Sequence, residues 1–208
     1  MSFNNPKAVE IYTTKTNLFP IEQELFNKYL TEPQKILDLG CGTGRTTQHL
    51  ADMGHDVTGV DIAPQMIKQA KTLLPDIPFC VGDATNLDYP NETFDTVLFS
   101  FNGLDCIYPE DNRLTALKEI NRVLKLDGLF LFSSHDYNHL KKITLRRIRR
   151  IRHHEGYYYK EKTVYGELIL YYGIIARNIR HLRCTGFDKI WYSSLDGRAW
   201  RYYKCQKS

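Results

Sequence analysis

Gly40, Gly42 and Gly44 stand at alternate positions in Lys35-Ile-Leu-Asp-Leu-Gly-Cys-Gly-Thr-Gly-Arg-Thr-Thr47, after an apolar run and before a helix-compatible segment. Glycines so spaced let the main chain turn through positive φ and let a ligand reach backbone where a Cβ would stand. The turn is a ligand seat. It lacks the Gly-Lys-Ser/Thr ending of a triphosphate-binding loop, and Gly-x-Gly-x-Gly is not the Gly-x-Gly-x-x-Gly of a dinucleotide turn. Asp38, just before the first glycine, repels a pyrophosphate and suits a cationic ligand. Asp61 and Asp83 end two further apolar runs, and His135, followed by Asp136, ends another. Carboxylates that accept hydrogen bonds, and an imidazole that can move a proton near neutral pH, are the chemistry on offer.

The segments that carry these residues read as buried strands alternating with helices. Ile36 to Leu39 is the first strand, and Arg45 to Met53 continues from the turn as a helix. Asp56 to Asp61 is the second strand, followed by Pro64 in the first turn of a helix. Ile77 to Asp83 is the third, and Phe94 to Phe99 is the fourth, running into the loop Ser100 to Asp105. Leu114, Leu117, Ile120, Val123 and Leu124 recur at helical spacing over 111–125, with Asp111 as a cap; a turn and a fifth strand fill Leu126 to His135. Repeated strand, helix, strand units imply right-handed crossovers and a doubly wound α/β sheet. Asp38, Asp61 and Asp83 then lie at three strand ends around one crevice, where open α/β sheets bind ligands.

The flanks are more particular. Ile21 to Leu30 has helical periodicity, making residues 1–34 an N-terminal helical cap. Residues 138–154 place Leu140, Ile143, Ile148 and Ile151 along one side of a basic amphipathic helix. Residues 155–173 are tyrosine-rich and include the alternating run Thr163 to Tyr172, which predicts a pair of strands over the crevice, so that 137–173 forms a substrate-side insert. Residues 174–184 read as a helix ended by Gly186, and 187–193 and 200–205 read as two last strands around an Asp196-Gly197 turn.

A chain of 208 residues suits one domain spanning 1–208. There is no apolar run of about 18 residues to cross a membrane and no signal-peptide pattern, so the expected location is cytoplasmic. The five cysteines are scattered without a Cys-x-x-Cys pair, which predicts reduced thiols and no metal site. Net charge is +4, but Lys141 to Arg152 holds seven Lys/Arg and no acid, leaving the remainder at −3 (4 − 7).

Ile36-Leu-Asp-Leu-Gly-Cys-Gly-Thr-Gly44 resembles motif I of the class I S-adenosylmethionine (SAM) dependent methyltransferases, and the later strand ends extend the resemblance over about residues 35–135. The resemblance implies a Rossmann-like seven-stranded sheet in the order 3-2-1-4-5-7-6 with strand 7 antiparallel. It implies that the turn through Gly40, Cys41, Gly42 and Gly44 holds the amino-acid part of SAM, with Asp38 helping to receive the ammonium group. Asp61 would take the ribose hydroxyls, or else cap the next helix, and Ile62 would lie on adenine. Asp83 would accept from the adenine amino group with the Ala84 amide donating to the ring, or else Asp83 satisfies loop amides. Phe99, Ser100, Phe101 and Asn102 would face the transferred methyl group. The Asn/Asp-Pro-Pro-Tyr/Phe of nucleic-acid amino-methyltransferases is missing there, and Asp127-Gly128 replaces the usual Pro-Gly-Gly. Tyr12 either closes as a flap or packs, and His135 either acts as a general base or caps its strand. Tyr157 and Tyr171 either wall the acceptor or pack the insert. The expected activity is methyl transfer to a small-molecule acceptor, with S-adenosylhomocysteine as product and no metal. The alternatives are an RNA (tRNA) methyltransferase using 141–152, whose nucleic-acid contact is otherwise expected to be weak, or a noncatalytic SAM-binding module. The sequence leaves the oligomeric state open.

Overall fold

The computed structural model describes residues 2–140, 151–193 and 199–208. In chain order the strands are β1 (Lys35–Leu39), β2 (Asp56–Asp61), β3 (Phe79–Val81), β4 (Phe94–Phe99), β5 (Leu124–His135), β6 (Ile151–Glu155), β7 (Tyr158–Thr163), β8 (Gly166–Tyr171), β9 (Phe187–Tyr192) and β10 (Trp200–Lys207). The helices are α1 (Pro6–Thr13), α2 (Pro20–Tyr29), α3 (Arg45–Asp52), α4 (Pro64–Leu73), α5 (Glu110–Val123) and, as α6, Ile175–Cys184.

Seven strands form the main sheet in the order β3-β2-β1-β4-β5-β10-β9. The pairs from β3 to β5 are parallel, and β10 runs antiparallel to both β5 and β9. This is the expected order, with β9 and β10 as the sixth and seventh strands. The sheet is buried on both faces, which is why its strands read as continuous apolar runs. On one face Leu37, Val97, Phe130 and Phe132 pack with Ile120 and Leu182 from α5 and α6. On the other Ile36, Leu98 and Leu131 pack with Leu25, Phe26 and Leu50 from α2 and α3.

Four readings change. The polar lead-in contains α1, capped by the Asn5 side chain, which accepts from the Ala8 amide, with Pro6 in the first turn. The expected basic helix begins as a helical turn at 137–140, and 141–150 lie outside the described residues, but 151–155 are strand β6. The isoleucine spacing fitted a helix; the ladder that claims this backbone comes from β7, where His153 pairs with Tyr159. The expected pair of strands is a separate three-stranded sheet, β6-β7-β8, because the run from Thr163 breaks at a hairpin in which Thr163 pairs with Gly166. Finally, β5 begins at Leu124, and the expected turn is an irregularity within it, where Asp127 takes φ +59° and a Cβ on Gly128 would lie 2.7 Å from the Lys125 carbonyl oxygen. The Asp196-Gly197 turn lies outside the described residues. Among the described residues no helix is long and apolar enough to cross a membrane.

Candidate functional site

A cleft of about 500 Å³ opens at the carboxyl ends of β1, β2, β3 and β4. Its floor is bare main chain. Gly40 takes φ +66°, and a Cβ there would lie 2.6 Å from the Phe99 ring; Gly42 takes φ +58°, and its Cβ would meet the Tyr12 ring at 3.3 Å. Side chains at either position would fill the seat and strain the backbone. Asp61 lines the cleft while its Oδ2 accepts from the Gly42 amide (2.9 Å) and its Oδ1 from the Ala63 amide (2.8 Å). One carboxylate thus ties the glycine turn to the start of α4. Burial raises its pKa, opposed by these amides. Ile62 and Ala84 line the same wall, with Asp83 at the rim. Asp83 Oδ1 accepts from the Thr85 amide and hydroxyl, both at 2.8 Å, so this acid serves its loop and still borders the cleft. Phe99, Ser100 and Tyr12 are also lining residues.

Other expected site residues lie elsewhere. Asp38 is buried beneath the turn, where its Oδ2 accepts from the Thr46 (2.7 Å) and Thr47 (2.6 Å) hydroxyls. Burial pushes its pKa up to about 6 against the pull of those hydroxyls. It fastens α3 and does not line the cleft, because the strand alternation turns it inward. Cys41 packs its side chain beside Phe79 while bordering a narrow recess next to the cleft, and Gly44 takes φ +95° as the residue before α3, where a Cβ would lie 2.7 Å from Leu74. Tyr171 is fully buried under the Arg113 guanidinium (4.1 Å), and Tyr157 packs on Arg177 (4.8 Å). Neither borders the cleft. The insert instead contributes Glu167, Leu168 and Ile169, from the first half of β8.

His135 also sits behind the wall. Its Nδ1 lies 2.9 Å from Asp105 Oδ2, its Nε2 lies 3.5 Å from Asn102 Nδ2, and its face is 4.7 Å from the Tyr172 ring. Asp105, with no exposed surface, also accepts from Arg113 Nη1 (2.9 Å), the Ser134 hydroxyl (2.9 Å) and the His135 amide (2.6 Å). The imidazole belongs to a buried network that holds the turn 103–106 against β5. Asn102 joins it: its amide donates to Ser133 Oγ (2.8 Å). Phe101 and Asn102 are consecutive left-handed residues (φ +52° and +61°), a strained pair that turns the Phe101 ring into the cleft and Asn102 away from it.

Two features go beyond the sequence reading, the first with no signal there and the second from Tyr12, Phe101 and the insert, which it named separately. Glu22 of α2 is fully buried and accepts five hydrogen bonds. Its Oε2 takes Arg45 Nη1 (2.6 Å) and the Phe19 amide (2.8 Å); its Oε1 takes Arg45 Nη2 (2.8 Å), Tyr202 Oη (2.6 Å) and Ser100 Oγ. Burial alone would raise its pKa, but Arg45 and the hydroxyls hold it below the ordinary value. The second is an aromatic cluster over the turn. Tyr12 meets Phe101 edge-on (5.9 Å between centroids) and Tyr165 at 5.3 Å, so the N-terminal segment and the insert hairpin close together there. Lys15 Nζ lies 4.3 Å from the Phe101 centroid and donates to Tyr165 Oη (3.1 Å).

Residues 36–128 match the family described as a methyltransferase domain. The chain is 41% identical over 95 residues to demethylmenaquinone methyltransferase of Paenarthrobacter aurescens, covering 46% of this chain and 36% of the relative. It is 31% identical over 147 residues to the eEF1A lysine and N-terminal methyltransferase of Homo sapiens, covering 65% of this chain and 20% of that one. The chain thus spans less than half the length of these curated relatives. Among solved structures, a SAM-dependent methyltransferase of Methanosarcina mazei superposes with a TM-score of 0.76 at 24% identity, covering 92% of this chain and 98% of that one. The 1,6-didemethyltoxoflavin-N1-methyltransferase of Burkholderia thailandensis, solved with 1,6-didemethyltoxoflavin and S-adenosylhomocysteine, gives 0.66 at 21% identity over 96% and 81%.

Proposed function

We propose a function that proceeds from one premise: the chain carries a class I SAM-dependent methyltransferase domain. On this reading it transfers a methyl group to a small-molecule acceptor. The residues present fit SAM. Bare backbone at Gly40 and Gly42 would admit the amino-acid part, Asp61 would take the ribose, and Ile62, Asp83 and Ala84 would border the base. When bound, SAM supplies an electrophilic methyl group on a sulfonium.

The chain's own contribution is placement and dryness. Orienting two reactants and excluding water can lower a barrier by on the order of 7–11 kcal/mol at best. No protein nucleophile is required. Burial pushes the Cys106 thiol up to about 12, with Asp105 and Asp61 adding to the effect, and burial with the neighbouring Tyr165 raises the Tyr12 phenol. Both groups facing the cleft stay protonated near neutral pH, so neither competes for the methyl group as an anion. His135, outside the lining, orders the wall and is not the base on this reading.

The observation that carries the small-molecule reading is the acceptor half of the cleft. It is walled by Phe101, Cys106, Ile107, Tyr108, Leu168 and Ile169; among the described residues its only charged side chain is Glu167, and none of them that lines it is Lys or Arg. Apolar walls with an acid suit a neutral or cationic small molecule and repel a phosphate backbone. Of the basic run 141–152, on which the RNA alternative rests, 141–150 lie outside the described residues and 151–152 begin β6. Incubating the protein with radiolabelled SAM, a metabolite extract and bulk RNA, then sorting product by size, tests the reading. Label is expected in small molecules; label confined to macromolecules would refute it.

A further inference from the structure

At the glycine turn the two cations are held differently. Beside the main cleft runs a narrow recess between the turn and the N-terminal segment, bordered by Lys15, Cys41, Thr43, Arg45 and Thr46, and sharing Tyr12, Gly40, Ser100 and Phe101 with the cleft. Arg45 enters it with both guanidinium arms committed to Glu22, at 2.6 and 2.8 Å. That pair is neutral as a unit. Asp38, below, is enclosed by two threonine hydroxyls. Lys15 is different: its ammonium group rests on the Phe101 ring at 4.3 Å and is steered by Tyr165 Oη at 3.1 Å, and among the described residues no carboxylate lies within 4.0 Å of it.

An aromatic face attracts a cation but does not neutralise it. A half-buried ammonium with no carboxylate in contact among the described residues, held in a recess beside exposed turn backbone, is poised for an anion. The following step rests on the SAM reading above, which seats the amino-acid part at this turn. We propose that Lys15 is the receptor for the α-carboxylate of SAM. The remaining donors of the ammonium group can take carboxylate oxygens while the ring and the Tyr165 hydroxyl keep it aimed. The sequence hid this role, because Lys15 sits in a polar stretch ahead of the matched domain.

Calorimetry with S-adenosylhomocysteine and with decarboxylated S-adenosylhomocysteine tests it, without turnover. Lys15→Met keeps most of the stem over Phe101 and removes the charge. It should weaken S-adenosylhomocysteine by about tenfold, as expected for a partly exposed charged hydrogen bond, and leave the decarboxylated ligand within about twofold. Lys15→Arg should restore most of the affinity for S-adenosylhomocysteine. Equal losses for both ligands, or no loss for either, would overturn the assignment of Lys15. Failure of the unmodified protein to bind S-adenosylhomocysteine would instead overturn the SAM reading itself.

Discussion

Replacing Glu22 by Gln removes one negative charge and leaves a side chain of the same shape. The carboxylate it replaces has no exposed surface, and the Arg45 side chain opposite retains 11% of its own. Breaking a buried ion pair by deleting one partner costs about 3–5 kcal/mol, because the other charge is left uncompensated. Two details move the expectation to the low end: Arg45 Nη1 also donates to the Asn17 carbonyl at 3.2 Å, and Gln keeps one oxygen able to accept from Tyr202 or Ser100. The expected loss is about 3 kcal/mol, or a fall in Tm of about 6–12 °C for a chain of this size. The pH dependence carries the mechanism. Glu22 has a folded pKa below its unfolded value, so its contribution is fully present above about pH 4.5 and disappears as pH falls through the folded pKa. Urea unfolding of both proteins between pH 7 and pH 3 should therefore give a stability gap that narrows with acid. A gap under about 1 kcal/mol at pH 7, or one that stays constant down to pH 3, would refute the idea that an ionised Glu22 holds α2 to the glycine turn.

Two further outcomes follow from the site. Asp61→Ala should weaken S-adenosylhomocysteine by roughly 10–100-fold in calorimetry, the worth of one charged hydrogen bond; unchanged affinity would mean that this carboxylate serves only Gly42 and Ala63. His135→Gln should lower stability by about 1–2 kcal/mol through the Asp105 network, while turnover on an identified acceptor falls less than about tenfold. A loss of 10²–10⁴ with stability intact would restore His135 as a general base.

The legible parts of the site are those whose partners are close in sequence or dictated by the sheet. The glycine turn, Asp61 and Asp83 sit at strand ends, and once the strands alternate with helices their meeting at one edge is a matter of topology. Glu22 was opaque because Arg45, Ser100 and Tyr202 lie far along the chain, and on a helix period it reads as one more polar position. The tyrosines are a different case: alternation along β8 marks a strand but does not say which end faces a cavity, so the sequence leaves Tyr171 between wall and packing, and the structure buries it under Arg113. Residues 151–155 failed because a polar strand is recognised by its partner, and that partner, β7, leaves no mark in the strand's own composition.

The inserted sheet leaves the fold just after β5 and returns to almost the same point. Asp136 and Gly173 form a bridge, the Tyr137 amide donates to the Gly173 carbonyl oxygen at 2.9 Å, and Arg201 Nε holds Asp136 Oδ2 at 2.7 Å from the neighbouring strand. With its two ends clamped side by side, the segment hangs from the sheet like a cassette in a socket. Its length and contents can change with little cost to the β5–β10 ladder, because loop closure grows only slowly with the number of residues enclosed. Such a socket lets the β5–β10 scaffold carry a different insert, and it marks 136 and 173 as the positions at which a graft should be cut.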